Sequence, residues 1–195
     1  MRKFYRIEYK GQPRYAFEEG GAWRLLDGDL FGSYRAGDGI AAPDRLLAPV
    51  LPSKMVCIGL NYKDHAAEQN KPLPTSPLMF IKPSTSAIGP GESIVIPSGI
   101  GRVDHEAEVD YRAPGGVGVQ GLVNGEKRQD SSTAQLVFSI DYLVAYITRV
   151  MTLLPGDIIA TGTPSGIGPL RPGDRVTINV AGVGELTNAV TGEQP

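Results

Sequence analysis

The chain has 195 residues, 19 lysines and arginines against 21 aspartates and glutamates, and a net charge of −2, a balance that excludes the strongly basic face of a nucleic-acid binder. A lone cysteine, Cys57, excludes an intrachain disulfide and a cysteine-based zinc cluster, and no apolar run reaches membrane-spanning length or resembles a secretory leader, so a reducing cytoplasm is expected. The length suffices to bury roughly 70% of the unfolded surface without staples, and 25 glycines with 16 prolines predict a turn-rich β fold rather than a helical bundle.

Residues 1–50 read as a small N-terminal β module and linker. Strands are predicted over 4–9, 15–17 and 22–26, with Lys10-Gly11 and Gly20-Gly21 as turns. From 28 to 52 glycine, aspartate and proline dominate, which predicts a linker packed on the main body, with a boundary at 49–52. The main domain, 51–195, opens with the apolar run Met55-Val-Cys-Ile-Gly59, a buried strand by pattern. Asn61 is placed as the N-cap of a short helix over 62–69. Pro72, Pro74 and Pro77 stiffen the next loop, and strands follow at 78–81 and 93–96.

Residues 102–110 alternate polar and apolar, the period of a half-buried strand. A Gly/Pro-rich bridge over 110–118 leads to the hairpin signal Leu122-Val-Asn-Gly-Glu126, whose Asn-Gly pair accepts a type I′ turn. The clearest helix is predicted over 139–151, capped by Ser139 and carrying one apolar stripe. Strands at 158–160, 175–180, 182–186 and 188–190 complete the reading.

Two histidines are present. His65 lies three residues before Glu68, so both project from one helix face. A carboxylate beside an imidazole fixes its tautomer and raises its basicity, as a general base requires. Polar i,i+3 pairs are also common on solvated helix faces, and spacing alone favours that plainer reading. In the 102–110 strand, Asp104, Glu106, Glu108 and Asp110 share one face. Four acids in a row repel, and a hard divalent cation would relieve them, Mg²⁺ or Mn²⁺ rather than Zn²⁺; a solvent-facing strand explains the pattern equally. The Gly- and hydroxyl-rich segment Ala160-Thr-Gly-Thr-Pro-Ser-Gly-Ile-Gly168 can offer amides to a carboxylate or oxyanion, or be a plain turn. It lacks the phosphate-loop lysine and the dinucleotide glycine spacing. Cys57 reads as core.

Taken in order, these segments resemble the fumarylacetoacetate hydrolase superfamily. The similar stretches are Cys57-Ile-Gly-Leu-Asn-Tyr-Lys-Asp-His65-Ala-Ala-Glu68, Phe80-Ile-Lys-Pro83 with Gly89-Pro-Gly91, and Asp104-His-Glu106-Ala-Glu108. Val123-Asn-Gly-Glu126 with Arg128-Gln-Asp-Ser-Ser-Thr133, Met151-Thr-Leu-Leu-Pro-Gly-Asp157 and the 160–168 loop follow. The resemblance implies an α+β, predominantly β fold, a mixed β-roll with few short helices. It implies a Mg²⁺- or Mn²⁺-dependent site for small 2-oxo or 1,3-dioxo acids. Glu106 and Glu108 would ligate the metal, His65 with Glu68 would form the proton-moving dyad, and Thr163, Gly162 and Lys82 would bind substrate. The implied reaction is hydrolytic C–C cleavage of an acylpyruvate through a metal-stabilised enolate; isomerisation or decarboxylation of 2-oxo diacids is the alternative. Family members are usually dimers, so a homodimer is expected.

One departure stands out. Relatives continue for a long stretch between the Glu-x-Glu strand and the Val-Asn-Gly hairpin, and that stretch supplies an aspartate ligand and an active-site lysine. Here the chain reads as shortened at about 110–120, with Asp104 or Asp110 as candidate substitutes for the aspartate. A non-catalytic remnant is therefore a third reading.

Overall fold

The computed structural model describes residues 2–108 and 115–193. Asp110 and the first part of the 110–118 bridge lie outside the described residues.

Near the N-terminus, strands β1 (Lys3–Tyr9), β2 (Gln12–Glu19), β3 (Ala22–Gly28), β4 (Tyr34–Ile40) and β5 (Arg45–Leu46) form one sheet in the order β4-β3-β2-β1-β5. Alternation puts Ile7, Ala16 and Leu25 on one face, where Tyr5, Trp23 and Ile40 cover them. The linker expected from residue 28 is instead largely strand. β4 has little apolar alternation to reveal it and forms by pairing with the free edge of β3. A Cβ on Gly37 would lie 2.9 Å from the Asp27 carboxylate, so a larger residue there would make that side chain shift.

Strand β6 (Met55–Gly59) is flanked by β7 (Leu78–Lys82), antiparallel, and β12 (Ile158–Ala160), parallel. Helix α2 (Ile140–Ile147) covers this sheet, and Leu143 and Ile147 join Val56, Ile58 and Ile159 in one buried cluster. Ser139 caps α2 as expected, its Oγ accepting from Tyr142 N at 3.3 Å, but the helix stops before 151. The Asn61 expectation fails. Helix α1 spans Lys63–Glu68 without a side-chain cap; Asn61 is fully buried and its amide accepts from Phe138 N and donates to the Phe138 and Thr161 carbonyls. It ties the start of α1 to two distant segments rather than to its own helix.

A second sheet has the order β11-β10-β14-β15-β8, from β11 (Glu126–Ser132), β10 (Gly118–Val123), β14 (Arg175–Val180), β15 (Gly184–Gly192) and β8 (Ile94–Ile96). Asn124 and Gly125, with φ of 54° and 81°, make the β10–β11 turn as predicted. The two closing strands expected at 182–190 are one continuous β15. Of the described part of the strand expected over 102–110, only β9 (Asp104–His105) enters a ladder, against β13 (Gly168–Pro169). The next backbone groups bind side chains instead of a neighbouring strand, as described below. The predominantly β, α+β class holds, with two short α-helices among the described residues. Among the described residues no helix is long and apolar enough to cross a membrane.

Candidate active site

Ala107 is the pivot between the two glutamates. Its N–H donates to Gln129 Oε1 at 2.9 Å and its carbonyl accepts from Thr163 Oγ1 at 3.0 Å. Its methyl packs beside Val117, Val119 and Val180. Gln129 approaches so closely because residue 121 is glycine; a Cβ there would meet Oε1 at 2.8 Å. With Ala107 clamped inward, alternation turns Glu106 and Glu108 the other way. Both line a cavity of about 480 Å³ with Lys82, opposite an apolar wall that includes Ile178, Val180 and Leu186.

Burial, and then the neighbouring Glu106 charge, raise the Glu108 carboxyl to about 7, with Lys82 opposing. Two acids crowded without enough counter-charge form the kind of donor pair that hard divalent cations bind, so the chemistry of the pair fits Mg²⁺ or Mn²⁺. Among the described residues no third His, Cys, Asp or Glu joins these two to make a metal-binding cluster. Asp104 is drawn to the Arg102 guanidinium at 2.7 Å.

A raised carboxyl stabilises the fold below its unfolded value, and that stability is lost as pH rises through the folded value. Metal-free protein is therefore expected to lose roughly 3 kcal/mol between about pH 4.5 and 7 at this group. Urea unfolding at stepped pH should show the fall and Glu108→Gln should flatten it; the same slope in both proteins would refute the assignment.

His65 sits on α1 with 5% of its surface exposed. Its Nδ1 is 2.8 Å from Glu68 Oε2, and the second carboxylate oxygen accepts from Gly166 N at 2.9 Å. The carboxylate thus accepts a hydrogen bond from Nδ1–H and leaves the lone pair on Nε2, where the Gln69 amide nitrogen stands at 2.8 Å. Asp64 holds the helix from behind, accepting from His65 N and from Ser131 Oγ. Gly166 has φ +95°, and a Cβ there would be 2.0 Å from the Arg128 carbonyl, so only glycine brings the loop to Glu68.

The structure therefore assembles two groups, Glu106–Glu108–Lys82 and His65–Glu68. Neither dyad residue lines the glutamate cavity. The connection runs through the 161–168 loop, bound at Gly166 to Glu68 and at Thr163 to Ala107. Thr163 is buried, its hydroxyl donating to Ala107 and accepting from Gln129 Nε2 at 2.8 Å. Gly162, at φ +106°, packs against Asn61 and the Ile58 carbonyl. The Tyr62 hydroxyl is buried with no hydrogen-bond partner among the described residues, and burial, followed by the Asp64 and Glu108 charges, raises its pKa.

Sequence reasoning missed Gln129 and Gln69. Gln129 is the one fully enclosed side chain of a polar strand, and its four hydrogen bonds reach His105, Ala107, Thr163 and Pro164. Its period-two position beside the inward Gly121 was the only signal available. Gln69 follows Glu68 directly and carried none.

Residues 54–112 and 109–191 match the family model described as fumarylacetoacetate (FAA) hydrolase C-terminal, in two pieces that meet at 109–112. The chain belongs to the fumarylacetoacetate hydrolase family. An uncharacterized protein of Archaeoglobus fulgidus is 34% identical over 224 residues, an alignment longer than this chain, covering 84% of it and 88% of the relative. The Escherichia coli 4-hydroxyphenylacetate degradation bifunctional isomerase/decarboxylase is 31% identical, covering 75% of this chain and 49% of that one. The crystal structure of 5-carboxymethyl-2-hydroxymuconate delta-isomerase from Mycobacterium smegmatis superposes with a TM-score of 0.85 at 30% identity, covering 99% of this chain and 100% of that one. Fumarylacetoacetate hydrolase relatives thus carry isomerase and decarboxylase names.

Proposed function

We propose that the chain is a divalent-metal-dependent enzyme that moves a proton on the enolate of a small 2-oxo acid. The buried His65, backed at Nδ1 by the Glu68 carboxylate, carries this reading. That arrangement leaves Nε2 to take or return a proton once the Gln69 amide gives way to substrate. Glu106 and Glu108 would hold Mg²⁺ or Mn²⁺, which would polarise the carboxylate and keto oxygens of a 2-oxo acid. Lys82 offers an ammonium in the same cavity to a carboxylate or developing oxyanion. What remains of the Thr163 hydroxyl is an acceptor lone pair, unsuited to a carboxylate. Holding a substrate carboxylate would fall to the backbone amides of Gly162 and Thr163.

Isomerisation or decarboxylation of a 2-oxo diacid is the version favoured by the names of the E. coli and M. smegmatis relatives. Hydrolytic C–C cleavage of an acylpyruvate is the second version, and it uses the same residues with His65 deprotonating water. We also read the chain as shortened at its centre, since the two family matches meet at 109–112. A reducing cytoplasm suits the free Cys57. A homodimer suits edge strand β7, whose Leu78 and Ile81 are more than half exposed.

The test is a Mn²⁺-loaded panel of oxaloacetate, an unsaturated oxo-diacid and an acylpyruvate. Proton exchange or isomerisation faster than acylpyruvate cleavage supports the first version, and the reverse order the second. Absence of turnover together with Mn²⁺ binding unchanged in Glu106→Gln/Glu108→Gln would overturn both in favour of a non-catalytic remnant.

A further inference from the structure

A separate cavity of about 560 Å³ opens beside the β10–β11 turn and the 166–174 segment, within the usual size of small-ligand sites. Arg128, Arg171, Asn124, Asp174 and His105 are its polar lining. Two of these are satisfied internally. Asn124 donates to Asp174 at 2.8 Å and accepts from Arg175 N, and the other Asp174 oxygen accepts from Arg171 N. Arg128 gives one N–H to the exposed Glu126 at 2.9 Å and keeps the rest of its guanidinium. Among the described residues the Arg171 guanidinium makes no hydrogen bond or ion pair, and, after the Asn124 hydrogen bond, its charge helps hold the Asp174 carboxyl below its ordinary range.

His105 decides the chemistry. It is 4% exposed, and its Nδ1 is 3.1 Å from Gln129 Oε1. That oxygen also accepts from Ala107 N, while Gln129 Nε2 donates to Thr163 and Pro164, so the amide orientation is fixed. Nδ1 must then carry the proton, and Nε2 presents a bare lone pair with no partner among the described residues. Gly168 shows which way it points. Gly168 lines this cavity, and a Cβ built on it would lie 3.5 Å from Nε2. His105 also borders a smaller cavity near Lys82 and Glu106, but Gly168 does not. Facing the cavity, that bare nitrogen can accept a hydrogen bond from a ligand hydroxyl.

We infer that this cavity is a second small-molecule site, built for a small hydroxycarboxylate, separate from the cavity of Glu106 and Glu108. The carboxylate lies against Arg171, with Arg128 beside it, and the hydroxyl donates to His105 Nε2. Guanidinium forks suit carboxylates in pairs of parallel hydrogen bonds. The binding claim does not depend on the activity proposed above.

Having only two histidines makes the test direct, because the imidazole NMR spectrum holds two sets of signals, assigned with His65→Gln. Lactate is the probe and propionate, which lacks the hydroxyl, the control. Lactate is expected to shift the His105 signals and leave those of His65 in place, and propionate to bind at least about tenfold more weakly. Arg171→Gln, an exposed substitution, should weaken lactate about tenfold or more while both imidazole signals stay at their ligand-free positions. Equal binding of the two acids, a still His105, or a response confined to His65 would each overturn the inference.

Discussion

Replacing His65 with alanine is expected to lower kcat by about 10²–10⁴-fold, the range for loss of a positioned general base, while leaving Mn²⁺ affinity close to the parent value. The separation follows from the geometry. His65 bonds to Glu68 and Gln69 and shares no hydrogen bond with Glu106 or Glu108, to whose strand it is linked indirectly through Gly166, Thr163 and Ala107. Glu68→Gln should also slow the reaction, because a neutral amide no longer stabilises the imidazolium that forms. Steady-state kinetics beside a Mn²⁺ titration checks both. Parallel loss of turnover and metal affinity in His65→Ala would mean that the imidazole is a ligand or a structural prop.

Gln129→Leu carries the largest expected loss of stability. The substitution nearly conserves volume yet strips the partners from His105 Nδ1, Ala107 N and the Pro164 carbonyl, all enclosed. Buried groups left unpaired cost about 1–3 kcal/mol each, less when the network relaxes together, for a total of about 3–6 kcal/mol. Against an ordinary stability of about 5–15 kcal/mol that is a large share, and it corresponds to a Tm lowered by about 6–24 °C in a chain of this size. Gln129→Glu keeps an acceptor for Ala107 and His105 but gives up both donations, so it should fall between. Calorimetry decides: a Tm within about 3 °C of the parent in Gln129→Leu would show that Gln129 is not the clamp.

Elements whose signal is local were legible in the sequence. Asn124-Gly125 demanded positive φ and received it, Ser139 capped its helix, and the apolar run at 55–59 became a central strand. What failed was decided at a distance. The weakly patterned 34–40 segment becomes a strand because β3 offers an open edge. Asn61 leaves its expected cap to serve Phe138 and Thr161, 77 and 100 residues away. The same reason explains 106–108, where Gln129 and Thr163 replace a neighbouring strand as hydrogen-bond partners. At the site, the pairing of His65 with Glu68 and the common face of Glu106 and Glu108 followed from helix and strand periods together with the family resemblance. Gln129 carried only its period-two place opposite Gly121, and nothing in Glu-Lys-Arg-Gln-Asp itself distinguishes an enclosed amide from a solvated one.

The parallel pairings of β6 with β12 and β8 with β15 set a timetable for biosynthesis. The strand at 55–59 leaves the ribosome roughly a hundred residues ahead of its partner at 158–160, and the one at 94–96 waits for 190–192. The N-terminal sheet can close from neighbours alone, so a nascent chain would carry one finished sheet and a long unfinished remainder. During that interval the side of 55–59 that 158–160 later covers stands bare, an exposure of the kind that invites wrong pairing before synthesis ends.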